Sequence, residues 1–379
     1  MADWQTIEHS IALTLLPGIG PGHAKNLIAH CGSPEAVWRE KKQVLAKIPG
    51  IGPQALAAIS QADTRQRAEA EIAFIQKQGL QAHYFLDDSY PRRMRQCEDG
   101  PLILYQKGTA ELNKNKVIAV VGTRNATHYG EELTEQLLAD MVPYRPLVLS
   151  GLAYGIDIMA HKQALRRGLP TVAVLAHGLD QVYPSLHRKV VEEMQIQEGG
   201  VVSEFISGTK PERSNFPMRN RIIAGMADAV VVVEAAKKGG ALITAQLANS
   251  YHRDVFACPG RLNDTFSEGC NDLIKTNQAS LLNSVKDFEY LLNWKKGEKR
   301  TENIQQTALF YSLSTEEQAL CQALQRAGGE MALELLCLKL EKPVHQVLTL
   351  LMNLELQDMV HSKPGKIYGL TSSGKRASN

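Results

Sequence analysis

The residues best suited to chemistry in this chain are cations set beside glycines. Arg219, Asn220 and Arg221 stand together near the start of Phe216 to Met226, a run whose apolar spacing predicts a helix. Ala229 to Val233 comes next, short, β-branched and uncharged, the composition of a parallel strand buried on both faces. Gly239 and Gly240 follow it and precede a second helical run, Leu242 to Ala248. Strand, glycine pair and helix together offer free backbone N–H groups and a positive helix end to an anion. A phosphate is the natural ligand, with the clustered arginines as its company. The plainer alternative is that the glycines only turn the chain.

A further cation lies earlier. Val117 to Val121 reads as a buried strand, and Gly122-Thr123-Arg124 follows it. This turn is not G-x-G-x-x-G and lacks an acidic residue placed for a ribose hydroxyl, which argues against a dinucleotide oxidoreductase. A charge at the end of a buried strand is costly unless something answers it. Either a phosphate or an internal carboxylate does so for Arg124, and the phosphate is the favoured reading. Asp157 and His161 could form an acid–base pair. A capping aspartate and a helix histidine are the preferred account of them.

The elements that must position these groups alternate. Strands are expected at 117–121, 147–149, 171–175, 200–202, 229–233 and 254–257, with helical runs between most of them. Such alternation predicts an α/β fold, a doubly wound parallel sheet covered on both faces, with functional loops at the strands' C-terminal ends. Leu80 to Gly108, with strand-like Ala82 to Leu86 and apolar Leu102 to Tyr105, reads as a preface packed onto that domain. Before it, Pro-Gly-Ile-Gly-Pro occurs twice, at 17–21 and 49–53, each time opening a helical run. The repeat resembles a tandem helix-hairpin-helix module, whose backbone amides can face a nucleic-acid phosphate. With only Lys25 and Lys47 nearby, DNA contact and scaffold weigh evenly. A helix over 64–78 ends at Gly79.

Trp294 to Asn303 is charged and apolar-poor, a linker. Beyond it, 315–326, 331–340 and 343–356 read as helices, the first capped by Ser314 or Thr315. Segments 358–361 and 366–369 read as a hairpin around Lys363-Pro-Gly-Lys366, which completes a winged helix. Its third helix has no arginine, so protein docking or a lid is preferred to reading duplex DNA. The expected domains are therefore 1–79 (helix-hairpin-helix), 80–293 (sheet domain), 294–312 (linker) and 313–379 (winged helix).

Composition bounds the function class. The 379 residues, 44% hydrophobic and 22% charged, suit an ordinary globular protein of two or three domains. A net charge of +2 means that any nucleic-acid surface is a local patch. The six cysteines show no metal-ligand spacing and read as reduced thiols of a cytoplasmic protein. No metal or cofactor is expected. The N-terminus shows no signal-peptide pattern, and no apolar run reaches the roughly 18 residues of a membrane span, so no membrane partner is expected.

From Val117 to Ala279 the chain resembles the DNA-processing protein A family (DprA, also called Smf). The residues that carry the likeness are Ala119 to Arg124 with Thr127, Tyr129 and Gly130; Ser150 to Ala153 with Gly155 to Asp157, Ala160 and His161; Gly178 to Asp180 with Tyr183-Pro184; and Ser203-Glu204. They continue with Phe216-Pro217, Arg219 to Gly225, Val233 to Ala235, Leu242 to Ala245, Cys258 to Gly260, Asn271 and Leu273-Ile274. The resemblance implies an extended Rossmann-like domain that binds single-stranded DNA, forms a homodimer, protects incoming DNA in natural transformation and helps load the RecA recombinase. Carried over, the DNA-binding residues are Gly122, Thr123, Arg124, Ser150, Gly151, Lys210, Phe216, Arg219, Asn220, Arg221, Gly239 and Gly240, with no catalytic residue. The chain departs at Gly239-Gly240-Ala241, where the family has Ser-Gly-Ser, and at Ala176-His177, where it has a glycine-led pair. Arg219 to Ala245 also resembles the phosphoribohydrolases called lysine-decarboxylase-like proteins, a rival enzymatic reading. Their glycine turn carries a glutamate that is missing here, where Ala241 to Gln246 follows.

Overall fold

The computed structural model describes residues 3–61, 64–296, 313–357 and 359–371. Most of the expected linker, one residue of the expected C-terminal hairpin (Asp358) and the tail after 371 lie outside the described residues. The chain divides into two compact units: residues 1–69, 86–88 and 300–379 in one, and 70–85 with 89–299 in the other.

The larger unit is a nine-stranded sheet. Its strands are β1 (Gln81–Tyr84), β2 (Ile103–Gly108), β3 (Val117–Val121), β4 (Leu147–Ser150), β5 (Thr171–Val174), β6 (Gly200–Ser203), β7 (Ala229–Val232), β8 (Asp254–Ala257) and β9 (Ser280–Leu281), in the order β1-β2-β6-β5-β4-β3-β7-β8-β9. From β6 to β9 every pairing is parallel, while β1 and β2 add an antiparallel edge through β6. The strands from β3 to β7 are buried along their whole length, which is why they are rich in valine, leucine and isoleucine. Helices 128–141, 156–166, 215–226 and 240–250 cover the sheet. The chain builds outward from β3 through β4, β5 and β6, then reverses through β7, β8 and β9. The reversal falls between β3 and β7, the topological switch point where doubly wound sheets bind ligands.

Two carboxylates, half-buried Asp228 and buried Glu234, hold this frame. Asp228, just before β7, receives Arg93 in a bidentate pair at 2.5 and 2.7 Å and the Val117 N–H of β3 at 2.8 Å. The same guanidinium donates to the Lys114 and Asn115 carbonyls, so the preface is pinned at the root of β3 as expected. Glu234, just after β7, accepts the Thr127 N–H at 2.9 Å and its hydroxyl at 2.5 Å. Its own carbonyl accepts the Thr123 N–H at 2.8 Å, which joins the loops after β3 and β7. A Cβ at Gly130 would sit 2.1 Å from the Glu234 carboxylate, so only glycine fits there.

The smaller unit contains helices 4–14, 21–31, 34–39, 42–45 and 53–61. Gly18 and Gly50, in the two Pro-Gly-Ile-Gly-Pro turns, have φ of 79° and 82°, and Pro21 and Pro53 open the helices as expected. At the other end of the chain, helix 315–326 starts on a Ser314–Glu317 capping box. One expectation is corrected here: residues 331–340 are not all helix. Glu330–Ala332 forms β10, and the helix is Leu333–Leu340, because Gly328 and Gly329 take φ of 90° and 100° and leave the chain extended. Helix 344–356 follows, then β11 (Val360–Lys363) and β12 (Ile367–Leu370), in an antiparallel sheet of order β10-β12-β11. Among the described residues no helix is long and apolar enough to cross a membrane.

Replacing Asp228 with asparagine leaves Arg93 buried without its counter-ion. Urea denaturation should register a loss of about 3–5 kcal/mol, and a loss below about 1 kcal/mol would show that the pair does not pin the preface.

Candidate nucleic-acid interface

At the switch point lies a cavity of about 260 Å³. The β3 loop contributes Gly122, Thr123 and Arg124, the β4 loop Ala153, helix 156–166 Asp157, helix 215–226 Phe216, Arg219 and Asn220, the β7 loop Lys238 and Gly239, and helix 240–250 its first residue, Gly240.

Arg124 is exposed, and its guanidinium lies 5.5 Å from the centre of the Phe216 ring. No carboxylate among the described residues pairs with it, so of the two partners weighed for Arg124 the internal one is not found. Arg219 lies 5.9 Å from the same ring but is only 5% exposed. One of its terminal nitrogens donates to the carbonyls of Gly151 (2.6 Å) and Val174 (2.5 Å), and its Nε donates to Asn220 Oδ1 at 3.1 Å. Burial draws its pKa down to about 10, the Arg124 charge adds to this and Asp157 opposes it, so Arg219 is cationic at neutral pH. Asp157 is pushed upward by burial and held down by Arg219 and by the Ala153 and Gly151 N–H groups. Phe216 therefore has one cation at solvent and a buried, hydrogen-bonded one beneath.

A second element at the cavity is the start of helix 240–250. Gly239 and Gly240 are exposed, no side chain caps the first turn, and a Cβ at Gly239 would meet nothing within 4 Å. Both glycines line the cavity beside Lys238. Lys238 escaped the sequence reading, although the pair Lys237-Lys238 directly before the glycines was the available signal.

Several expected site residues serve the scaffold instead. Arg221 pairs with Glu204 and donates to the Asp99 carbonyl, away from the cavity, and both side chains of the pair are 9% exposed. Residues two apart on a helix do not share a face, so the Arg-Asn-Arg cluster splits. Ser150 donates its hydroxyl to the Val120 carbonyl at 2.6 Å, and the Gly151 N–H donates to Asp157 at 3.2 Å. Neither is left for a phosphate. Asn220 borders the cavity but joins Arg219 to the Gly240 carbonyl. Lys210 is exposed and lies outside the cavity lining.

The suspected acid–base pair does not form. Asp157 accepts the Gly151 and Ala153 amides of the loop before its helix rather than capping the helix that Gly155 opens. His161 is buried, with Nδ1 2.7 Å from Thr171 Oγ1. Burial, helped by His187 and Arg219, drives its pKa down to about 3. His177 is buried too and accepts the Tyr183 N–H on Nε2 at 3.2 Å, so its Nδ1 carries the proton toward the Gly178 carbonyl.

In the unfolded chain His161 titrates near pH 6.5, but in the folded chain near 3. Between these values only the unfolded state takes up the proton. Stability is thus full above about pH 6.5 and falls by roughly 1 kcal/mol per pH unit as the solution is acidified toward 3. A His161→Gln protein should show a flatter stability curve than wild type over that window in urea titrations.

Residues 81–293 match the family described as DNA recombination-mediator protein A, and residues 10–62 match the SAM-like helix-hairpin-helix tandem. The chain is 35% identical over 280 residues to Protein Smf of Synechocystis sp., covering 72% of this chain and 69% of that protein. The X-ray structure of DNA processing protein A from Streptococcus pneumoniae aligns with a TM-score of 0.61 and 31% identity, covering 77% of this chain and 98% of that one. A structure of DNA processing protein A from Helicobacter pylori, described for its single-stranded DNA binding mode, aligns with a TM-score of 0.51 and 29% identity, over 56% of this chain and 95% of that one.

Proposed function

Because the chain belongs to the DNA recombination-mediator protein A family, we propose that its switch-point crevice binds single-stranded DNA. The observation that carries this reading is the exposed Arg124 guanidinium beside the Phe216 ring, in one cavity lining with Lys238 and with Gly239 and Gly240 at an uncapped helix start. A single strand needs cations and amides for its phosphates and an aromatic face for a base, with no requirement for sequence. The crevice offers each within one cavity.

The protein acts as a binder rather than an enzyme. Asp157 is the one carboxylate among the described lining residues, and it is buried against Arg219 and two amides, poorly placed to move a proton. The rival phosphoribohydrolase reading predicts free adenine on incubation with AMP; none should form. The finer role is that of the family: protecting incoming strands in the cytoplasm during natural transformation and loading RecA, as a homodimer joined through the sheet domain. The C-terminal helices and sheet act as a winged helix that docks protein. Its third helix, 344–356, has no arginine and exposes Met352 and Leu356.

Arg124→Ala should weaken single-strand binding whatever the base sequence. It should also flatten the log–log salt dependence by roughly 0.7, the share of one phosphate. Lysine should restore only part, since it keeps the charge and loses the planar fork. Fluorescence anisotropy across a salt series, with circular dichroism as the folding control, decides the matter: an unchanged affinity and slope in a folded Arg124→Ala protein ends the reading.

A further inference from the structure

Tyr183 lies outside the cavity lining and was not expected at the site, yet it is 48% exposed with its ring centre 6.4 Å from that of Phe216. Its loop is held firmly. The Tyr183 N–H donates to buried His177, and the Gln181 side chain donates to the Thr209 carbonyl at 2.9 Å. The Gly178 N–H reaches the same carbonyl at 3.1 Å, and Asp180 Oδ1 accepts the Gly208 N–H at 3.0 Å. These bonds stitch the Tyr183 loop to the segment that ends in exposed Lys210. An exposed ring and an exposed cation thus lie on two segments tied to each other beyond the cavity, while Phe216 and Arg124 stand together within it.

We propose that Tyr183 is a second base-stacking position, serving the nucleotide next to the one on Phe216, with Lys210 at the phosphate between or beyond them. This deepens the single-strand reading and rests on it. The two rings are inclined by 52°, so they cannot clasp one base flat between them. Each instead presents a face to a base of its own. Their separation is close to two stacked rises of about 3.4 Å, which suits successive, unstacked nucleotides. His177 gives the site a feature of this chain, since its imidazole is the group that fixes the Tyr183 backbone.

The test uses the full chain and oligothymidines of increasing length, read by fluorescence anisotropy. Tyr183→Leu keeps apolar bulk and removes the ring face. It should lose roughly 5- to 100-fold in affinity for long oligomers, the worth of one stacked base. The salt slope should stay at the wild-type value, because no phosphate contact is removed. The loss should vanish for oligomers too short to span both rings. Tyr183→Trp should bind as wild type does, with its fluorescence quenched by DNA. Equal affinities of wild type and Tyr183→Leu at every length overturn the proposal while single-strand binding stands. Where the leucine variant is misfolded, the tryptophan variant decides: binding without quenching overturns the proposal too. Failure of wild type to bind any oligomer would instead sink the reading on which it rests.

Discussion

The crevice depends on one buried cation. Arg219 is fixed by the carbonyls of Gly151 and Val174, at the ends of β4 and β5, with Asp157 as its counter-ion. Removing a guanidinium from water is tolerable only with this density of acceptors and a nearby carboxylate. The arrangement dictates its neighbours. Asp157 must gather amides from the loop before its own helix, and residue 151 must be glycine, since a Cβ there would meet both the Arg219 guanidinium and the Asp157 carboxylate at 2.7 Å. The motif Ser150-Gly-Leu-Ala with Asp157 therefore builds a socket for Arg219.

A second constraint sets the mouth of the crevice. Parallel strands diverge at a switch point, and the loops that leave them need a tie. Glu234 supplies it, taking both the amide and the hydroxyl of Thr127 while its backbone receives Thr123. This holds the β3 loop, and so Arg124, at a set distance from the β7 loop that carries Lys238, Gly239 and Gly240. The scaffold fixes the buried arginine and the helix start in advance, so on the proposed reading binding would order only the exposed side chains, which limits its entropic cost.

The sheet was largely legible because its central strands are apolar on both faces and punctuated by glycine. β3 and β8 keep the bounds read from the sequence, whereas β9 has two residues and β10 three, too short to show a period. The site was legible where chemistry sits on a turn, as at Arg124 and the Gly239-Gly240 pair. It was misread where residues adjacent in sequence differ in helical phase. Arg219 and Arg221 look like one cluster on paper, yet one supports the cavity and the other answers Glu204. Tyr183 went unseen as a site residue because only tertiary contact brings its loop to Phe216.

The near-neutral net charge of the chain puts the burden of attraction on this local grouping. Arg124 and Arg219 approach the same ring, and the Arg124 charge already lowers the pKa of Arg219, so the two cations repel in the protein alone. Arg219 is anchored in its socket and cannot move aside. Arg124, by contrast, is exposed to solvent. On the proposed reading, a phosphate bound between Arg124 and the Gly239-Gly240 amides would replace that repulsion with attraction. The attraction carries no information about the base. On that reading any base preference would come from the rings, because the cations would contact only the backbone.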